Sequence, residues 1–234
     1  VGLNVTTGDI LGDVGVGGDY SSKTAGTSNL RLGVNAGDSI ASGGNFNVCV
    51  GDEAGTAITT SDYNVAVGYN AGSAVTTGKE NTLIGSLAGD ALTDADFNIA
   101  VGWGALGADT LGSRSVAIGT GALDAQNFTS ATNSFNVAVG HNAGSEVTTG
   151  VQNTLIGSNA GDALTDADFN LAVGHNALTA DTLGSRSTAL GFQALGNQNF
   201  TSATDSLNTG VGFYAGLSNT SGQNNTFLGN ETGA

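Results

Sequence analysis

Residues 64–89 read NVAVGYNAGSAVTTGKENTLIGSLAG, one short phrase stated twice, and residues 136–161 state it again as NVAVGHNAGSEVTTGVQNTLIGSNAG. Aligned on this phrase, the chain holds twelve copies, which begin at residues 29, 47, 64, 81, 98, 115, 136, 153, 170, 187, 208 and 225. The spacing is 17 residues except for 18 between the first two copies and 21 at 115 to 136 and 187 to 208, so 64–135 and 136–207 are two 72-residue super-repeats of four coils each. A fixed short period of this kind specifies a solenoid, in which each unit buries its apolar residues against its neighbours.

The columns of the alignment describe one coil. Position one is Asn in ten copies and Ser115 or Ser187 in the others, a side chain suited to a stacked polar ladder. Positions two and four are β-branched or aliphatic, as in Val65/Val67 and Ile99/Val101, the period-2 pattern of a strand. Position three is also mostly apolar (Ala66, Leu83, Ala100, Ala117, Ala138, Leu155, Ala172, Ala189), which predicts a parallel strand covered on both faces. A narrow coil cannot cover both faces itself, so position three is expected at a contact between chains.

Position five is Gly in every copy, which predicts a turn, and position eight is Ala in eleven. Two coil types follow. One places its next apolar residue at position twelve (Ile58, Val75, Leu92, Val147, Leu164), whereas the other places Leu at position nine (Leu106, Leu123, Leu178, Leu195) and Leu or Phe at position fourteen, with a polar residue at twelve. A Thr column at position thirteen predicts a second ladder on a second strand. The expected fold is all-β: a parallel β-solenoid (β-roll) of about twelve 17-residue coils, which at about 4.8 Å per coil spans roughly 55–60 Å. Residues 1–28 read as a degenerate first coil (Asp13–Gly17) or a connection, and 29–234 as the repeat domain, which is expected to continue beyond the C-terminal end in a longer parent protein.

The phrases SVAIGTGAL (115–123), NVAVGYNAG and NTLIGSNAG resemble the head repeat of trimeric autotransporter adhesins. They are equally similar to Gly/Asn-rich repeats of bacteriophage tail fibres and bacterial surface proteins, and SGQNNTFLGNETG (221–233) is closer to that second group. The resemblance covers roughly residues 13–234, although 17 is longer than the period usual in the adhesin heads. It implies left-handed coils, a homotrimer, and an extracellular location on a virion appendage or bacterial surface. The partner it implies is a host-surface glycan or protein receptor. The function expected is therefore that of a structural and adhesive segment, most simply of a phage tail fibre, with the head of a bacterial adhesin as the alternative. A glycan-cleaving spike and an ice-binding solenoid, the latter because of the Thr column, are further readings.

Composition narrows the classes. The net charge is −15 with only five Lys and Arg among 234 residues, which leaves nucleic-acid or anionic-membrane binding without an electrostatic basis. No apolar run approaches the roughly 20 residues of a membrane-spanning helix. No cofactor or metal is expected. Asp94-Ala95-Asp96 and Asp166-Ala167-Asp168 resemble the start of a calcium loop, but Ile99 or Leu171 stands where the loop needs Gly and no Glu closes it. No nucleophile–base arrangement recurs, and Cys49 occupies an apolar column.

Two candidate binding features remain. Position six carries Tyr69, Trp103, His141, His175, Phe192 and Phe213, rings that can stack on sugars or shield the turn backbone. The two 21-residue coils are expected to bulge into exposed loops that contain Ser130, Thr132 and Ser134, and Ser202, Thr204 and Ser206, with Phe128 and Phe200 as anchors behind them.

Overall fold

The computed structural model describes residues 26–234. The degenerate copy at 13–17 lies outside the described residues. Twelve three-residue strands, from Leu30–Leu32 through Val65–Val67, Thr82–Ile84 and Ile99–Val101 to Thr226–Leu228, stack into one parallel sheet in strict sequence order. Register follows the alignment, with Val65 opposite Thr82 and Ala66 opposite Leu83. No helix occurs among the described residues. Eleven strand intervals of about 4.8 Å make the sheet about 53 Å long.

The alternation of a strand decides which side chains turn inward. Positions one and three point into the coil: Asn64 and Ala66 are each 1% exposed, while Val65 and Val67 on either side are half-exposed. The column expected at a contact between chains, Ala66, Leu83, Ala100, Ala117, Ala138, Leu155, Ala172 and Ala189, is therefore buried within its own coil. A 17-residue coil is so narrow that small residues at positions three and eight plus one larger aliphatic group fill most coils, with Leu83 and Leu155 at position three adding a second. That larger group is the position-twelve residue in one coil type and the position-nine Leu in the other, and both sets are fully buried in one continuous core. The apolar surface left uncovered belongs to positions two and four instead.

The position-one column is a ladder of a specific kind. The Asn64 Oδ1 accepts the backbone N–H of Asn81 at 3.0 Å, while its Nδ2 donates to the carbonyl of Gly78 in its own coil at 2.9 Å. Asn81, Asn98, Asn153 and Asn170 repeat both bonds. Each amide thus closes its own coil and fastens the next one. The Thr column makes no second strand in the regular coils. Thr59, Thr76 and Thr93 each send both a backbone N–H and the hydroxyl to the carbonyl of the Thr one coil on, so those hydroxyls serve the rod and form no free lattice of donors.

Position five must be Gly for two reasons. Gly68 has φ of +133°, and a Cβ there would lie 2.6 Å from the carbonyl carbon and oxygen of Gly85 in the next coil. Gly68→Val should therefore cost several kcal/mol, on the order of 3–5. Asn153→Ala leaves a buried N–H of Asn170 and a buried carbonyl of Ala167 without partners, at about 1–3 kcal/mol each. Hydrogen exchange should show accelerated opening centred on the affected coils; wild-type protection in either variant would refute these roles.

Candidate functional site

The outward face of the sheet collects the exposed large apolar side chains of the described residues. It consists of positions two and four, flanked by position six on one side and by the last residue of each coil on the other. All eighteen exposed large apolar residues among the described residues fall in these columns, among them Leu32, Tyr63, Ile84, Ile99, Trp103 and Phe135. Charge is nearly excluded from them. Asp52 and Glu80 are the only acidic residues in these columns among the described residues, with Arg114 and Arg186 as the cations. The negative charge of the rod therefore lies on its other sides.

The position-six stripe divides into two parts. Tyr69 and Trp103 are each 57% exposed and make no ring contact with another described residue. His175, Phe192 and Phe213, one coil apart, stack on one another with centroids 5.4 and 5.2 Å apart and planes within 13° of parallel, and Tyr214 meets both Phe192 and Phe213. His141 is exposed, two coils below His175.

A second aromatic column, in the residue before each position-one Asn or Ser, escaped the reading of the sequence. Phe46 and Tyr63 stack 5.0 Å apart. The Arg114 guanidinium lies 4.5 Å over the Phe97 ring, and Arg186 lies 4.9 Å over Phe169. Each of these closing residues adopts φ between 51° and 64°, for example Phe97 at 60° and Phe135 at 51°. Propensity alone disfavours large side chains in that conformation, but the alignment itself displays Phe46, Tyr63, Phe97, Phe135 and Phe169 in one register and could have revealed the column.

The long coils are only partly loops. Thr129, Ser130 and Ala131 bulge out and are exposed, as are Thr201, Ser202 and Ala203. Thr132–Asn133 then rejoins the rod as a short parallel strand on Gly112–Ser113, and Thr204–Asp205 does the same on Gly184–Ser185, which leaves Thr132 and Thr204 half-buried. Ser134 and Ser206, expected in exposed loops, are fully buried. Of the four inserted residues, three form the bulge and the fourth turns inward, where the Ser134 hydroxyl meets that of Ser115 at 2.5 Å and Ser206 meets Ser187 in the same way. Phe128 and Phe200 stay buried behind the loops.

This arrangement explains why Ser replaces Asn at position one in these coils. The amide of Gln126 takes the place of the missing Asn amide: its Nε2 donates to Asp109 Oδ2 at 2.6 Å and to Ser115 Oγ at 2.9 Å, and its Oε1 accepts from Asn136 Nδ2 at 2.8 Å. Asp109 Oδ1 also accepts the backbone N–H groups of Gly112 and Phe128. Gln198, Asp181, Ser187 and Asn208 repeat the set. Burial pushes the carboxyl groups of Asp109 and Asp181 above the ordinary range, against the opposing pull of the hydrogen bonds they accept from Gln126 or Gln198 and from backbone N–H groups.

Asp96 and Asp168 accept backbone N–H groups one coil away, from Lys79 and Val151, and Asp94 and Asp166 accept the hydroxyls of Thr77 and Thr149. These carboxylates join turn to turn. No three His, Cys, Asp or Glu side chains converge among the described residues.

A carboxyl whose value is raised by folding favours the folded state at low pH and loses that contribution as pH climbs through the raised value. The melting temperature should therefore rise as pH falls from 7 toward about 4, the ordinary carboxylate value. General relief of charge repulsion acts in the same direction. The Asp109→Asn/Asp181→Asn variant isolates the buried pair and should gain less on acidification than the wild type; equal gains would show that the two buried carboxyls do not contribute.

Comparison with protein families, with curated proteins and with solved structures returns no match to this chain.

Proposed function

We propose that the chain is a structural and adhesive segment of an extracellular, left-handed trimeric fibre, a phage tail fibre or related virion appendage, that presents a surface for host attachment. Its role is mechanical and recognitional rather than catalytic. The observation that carries this reading is the confinement of every exposed large apolar side chain among the described residues to one lengthwise face of the rod. The strip formed by positions two and four and the closing residues, without the position-six margin, measures about 53 Å by about 15 Å and offers on the order of 800 Å², the area one partner contributes to a stable interface.

The occupant that fits it is a second copy of the same chain. Two rods with a net charge of −15 repel along their acidic sides and can approach closely through the nearly uncharged face. Three copies around one axis is the number implied by the resemblance of the repeat to trimeric fibres. In that arrangement the position-two and position-four columns turn to the axis, and position six and the bulges at 129–131 and 201–203 lie toward the outside.

Native mass measurement should give three times the chain mass of 22.9 kDa. Ile118→Glu with Val139→Glu should dissociate the assembly with the coils intact, because both side chains point outward, whereas Ala138→Glu should unfold the coil that buries it. A wild-type monomer at micromolar concentration would overturn the trimer.

A further inference from the structure

Position six alternates rings with hydroxyls along seven successive coils: Tyr69, Ser86, Trp103, Thr120, His141, Ser158, His175. The next two coils break the alternation with Phe192 and Phe213, and there the rings stack directly. This filled part of the column is a gauge for the open part. Rings in successive coils meet at 5.2–5.4 Å. Removal of every second ring leaves a gap of two coil rises, about 10 Å, and a ring inserted midway stands about 5 Å from each wall, within the range of favourable ring contact. Ser86, Thr120 and Ser158 form the floors of these gaps, and their hydroxyls make no hydrogen bond to another described residue.

On this basis, and resting on the adhesive reading above, we propose that the position-six column holds three slots, Tyr69/Ser86/Trp103, Trp103/Thr120/His141 and His141/Ser158/His175, that each take one neutral pyranose ring of a host glycan. The walls supply apolar ring faces for the C–H face of a sugar, and the floors supply hydroxyls to pair with the hydroxyls at its edge. Acidic sugars are disfavoured, because the column contains no cation and the rod carries a charge of −15. Phe192 is closed to sugar, since His175 and Phe213 stack on its two sides.

Trp103 is the only tryptophan of the chain and forms a wall of two slots, so its emission reports occupancy directly. The full chain is titrated with hexasaccharides of β-linked glucose, α-linked glucose and N-acetylglucosamine, and with a Phe- and Tyr-containing peptide. At least one hexasaccharide should shift the Trp103 emission saturably. Ser86→Phe with Thr120→Phe closes both slots beside Trp103 by extending the stack seen at Phe192, and should weaken that response at least ~10-fold. Phe192→Ser opens a gap between His175 and Phe213 and should add one site to the stoichiometry measured by calorimetry.

An unchanged emission with every sugar, an undiminished affinity in the filled variant, or a response to the peptide alone would each overturn the slots. Native mass on the same preparation separates this proposal from the fibre reading. A trimer without sugar binding removes the slots and leaves the fibre, whereas a monomer that binds sugar removes the trimer and leaves the slots, which lie within one chain.

Discussion

The rod depends on one buried amide per coil. An Asn side chain in an apolar interior is costly unless both of its ends are paired, and here the two ends have different duties. The nitrogen holds the carbonyl that brings the coil back to its start, and the oxygen receives the first backbone N–H of the coil above. Because the pairing is directional, an amide flip would set donor against donor at the next coil's N–H and acceptor against acceptor at the carbonyl of its own coil. That defines the register of the strands more tightly than the apolar residues do, since Ala and Val in neighbouring coils could tolerate a slip that the amide cannot. Where Ser115 stands in this column, Gln126 links the coils by side chains instead: it donates to Asp109 in the coil below and accepts from the side-chain nitrogen of Asn136 in the coil above. The rod thus retains its polar spine through its least regular region.

Around that spine, backbone conformation sets the shape of the coil. Each regular coil passes through positive φ at position five, position seven, position nine and its last residue, as in Gly68, Asn70, Gly72 and Glu80. Among these four positions, a backbone in the next coil comes so close that a Cβ would collide with it at position five, as at Gly68. Elsewhere the left-handed conformation admits Asn, Leu, Arg and even Phe, and the chain uses that freedom to turn large side chains outward at the edge of the sheet. The apolar face and its aromatic margins follow from the same turns that close the coil.

The solenoid, the strand positions, the Gly column and the exchange of core residues between coil types were all legible in the sequence, because each appears as a fixed column over twelve copies. The side to which a column points was less legible. Alternation within a strand shows that positions two and four share a face, but apolar residues at positions two, three and four leave the inward face undetermined. The Asn at position one decides it, since position three must share its inward direction. The fates of Ser134 and Ser206 were hidden for a related reason: small polar residues suit an exposed loop as well as a buried hydrogen bond, and only the missing Asn at 115 and 187 hinted that another group was needed there. The position-six rings look uniform as letters. Whether a ring is open or covered depends on the occupant of the same position one coil away, a relation between residues 17 apart.

The 72-residue super-repeat carries its own polar plug, its own bulge and its own exchange of core residues, and it ends in the register in which it began. Nearly every contact it makes joins residues within about one coil of each other, so the loop-closure entropy of adding a coil does not grow with the number of coils already present. Duplication of such a unit would lengthen the rod by about 19 Å without requiring a new contact of any kind. Reach is thereby separated from folding: the length of the rod becomes a quantity that recombination can adjust in whole steps while every coil remains as stable as before.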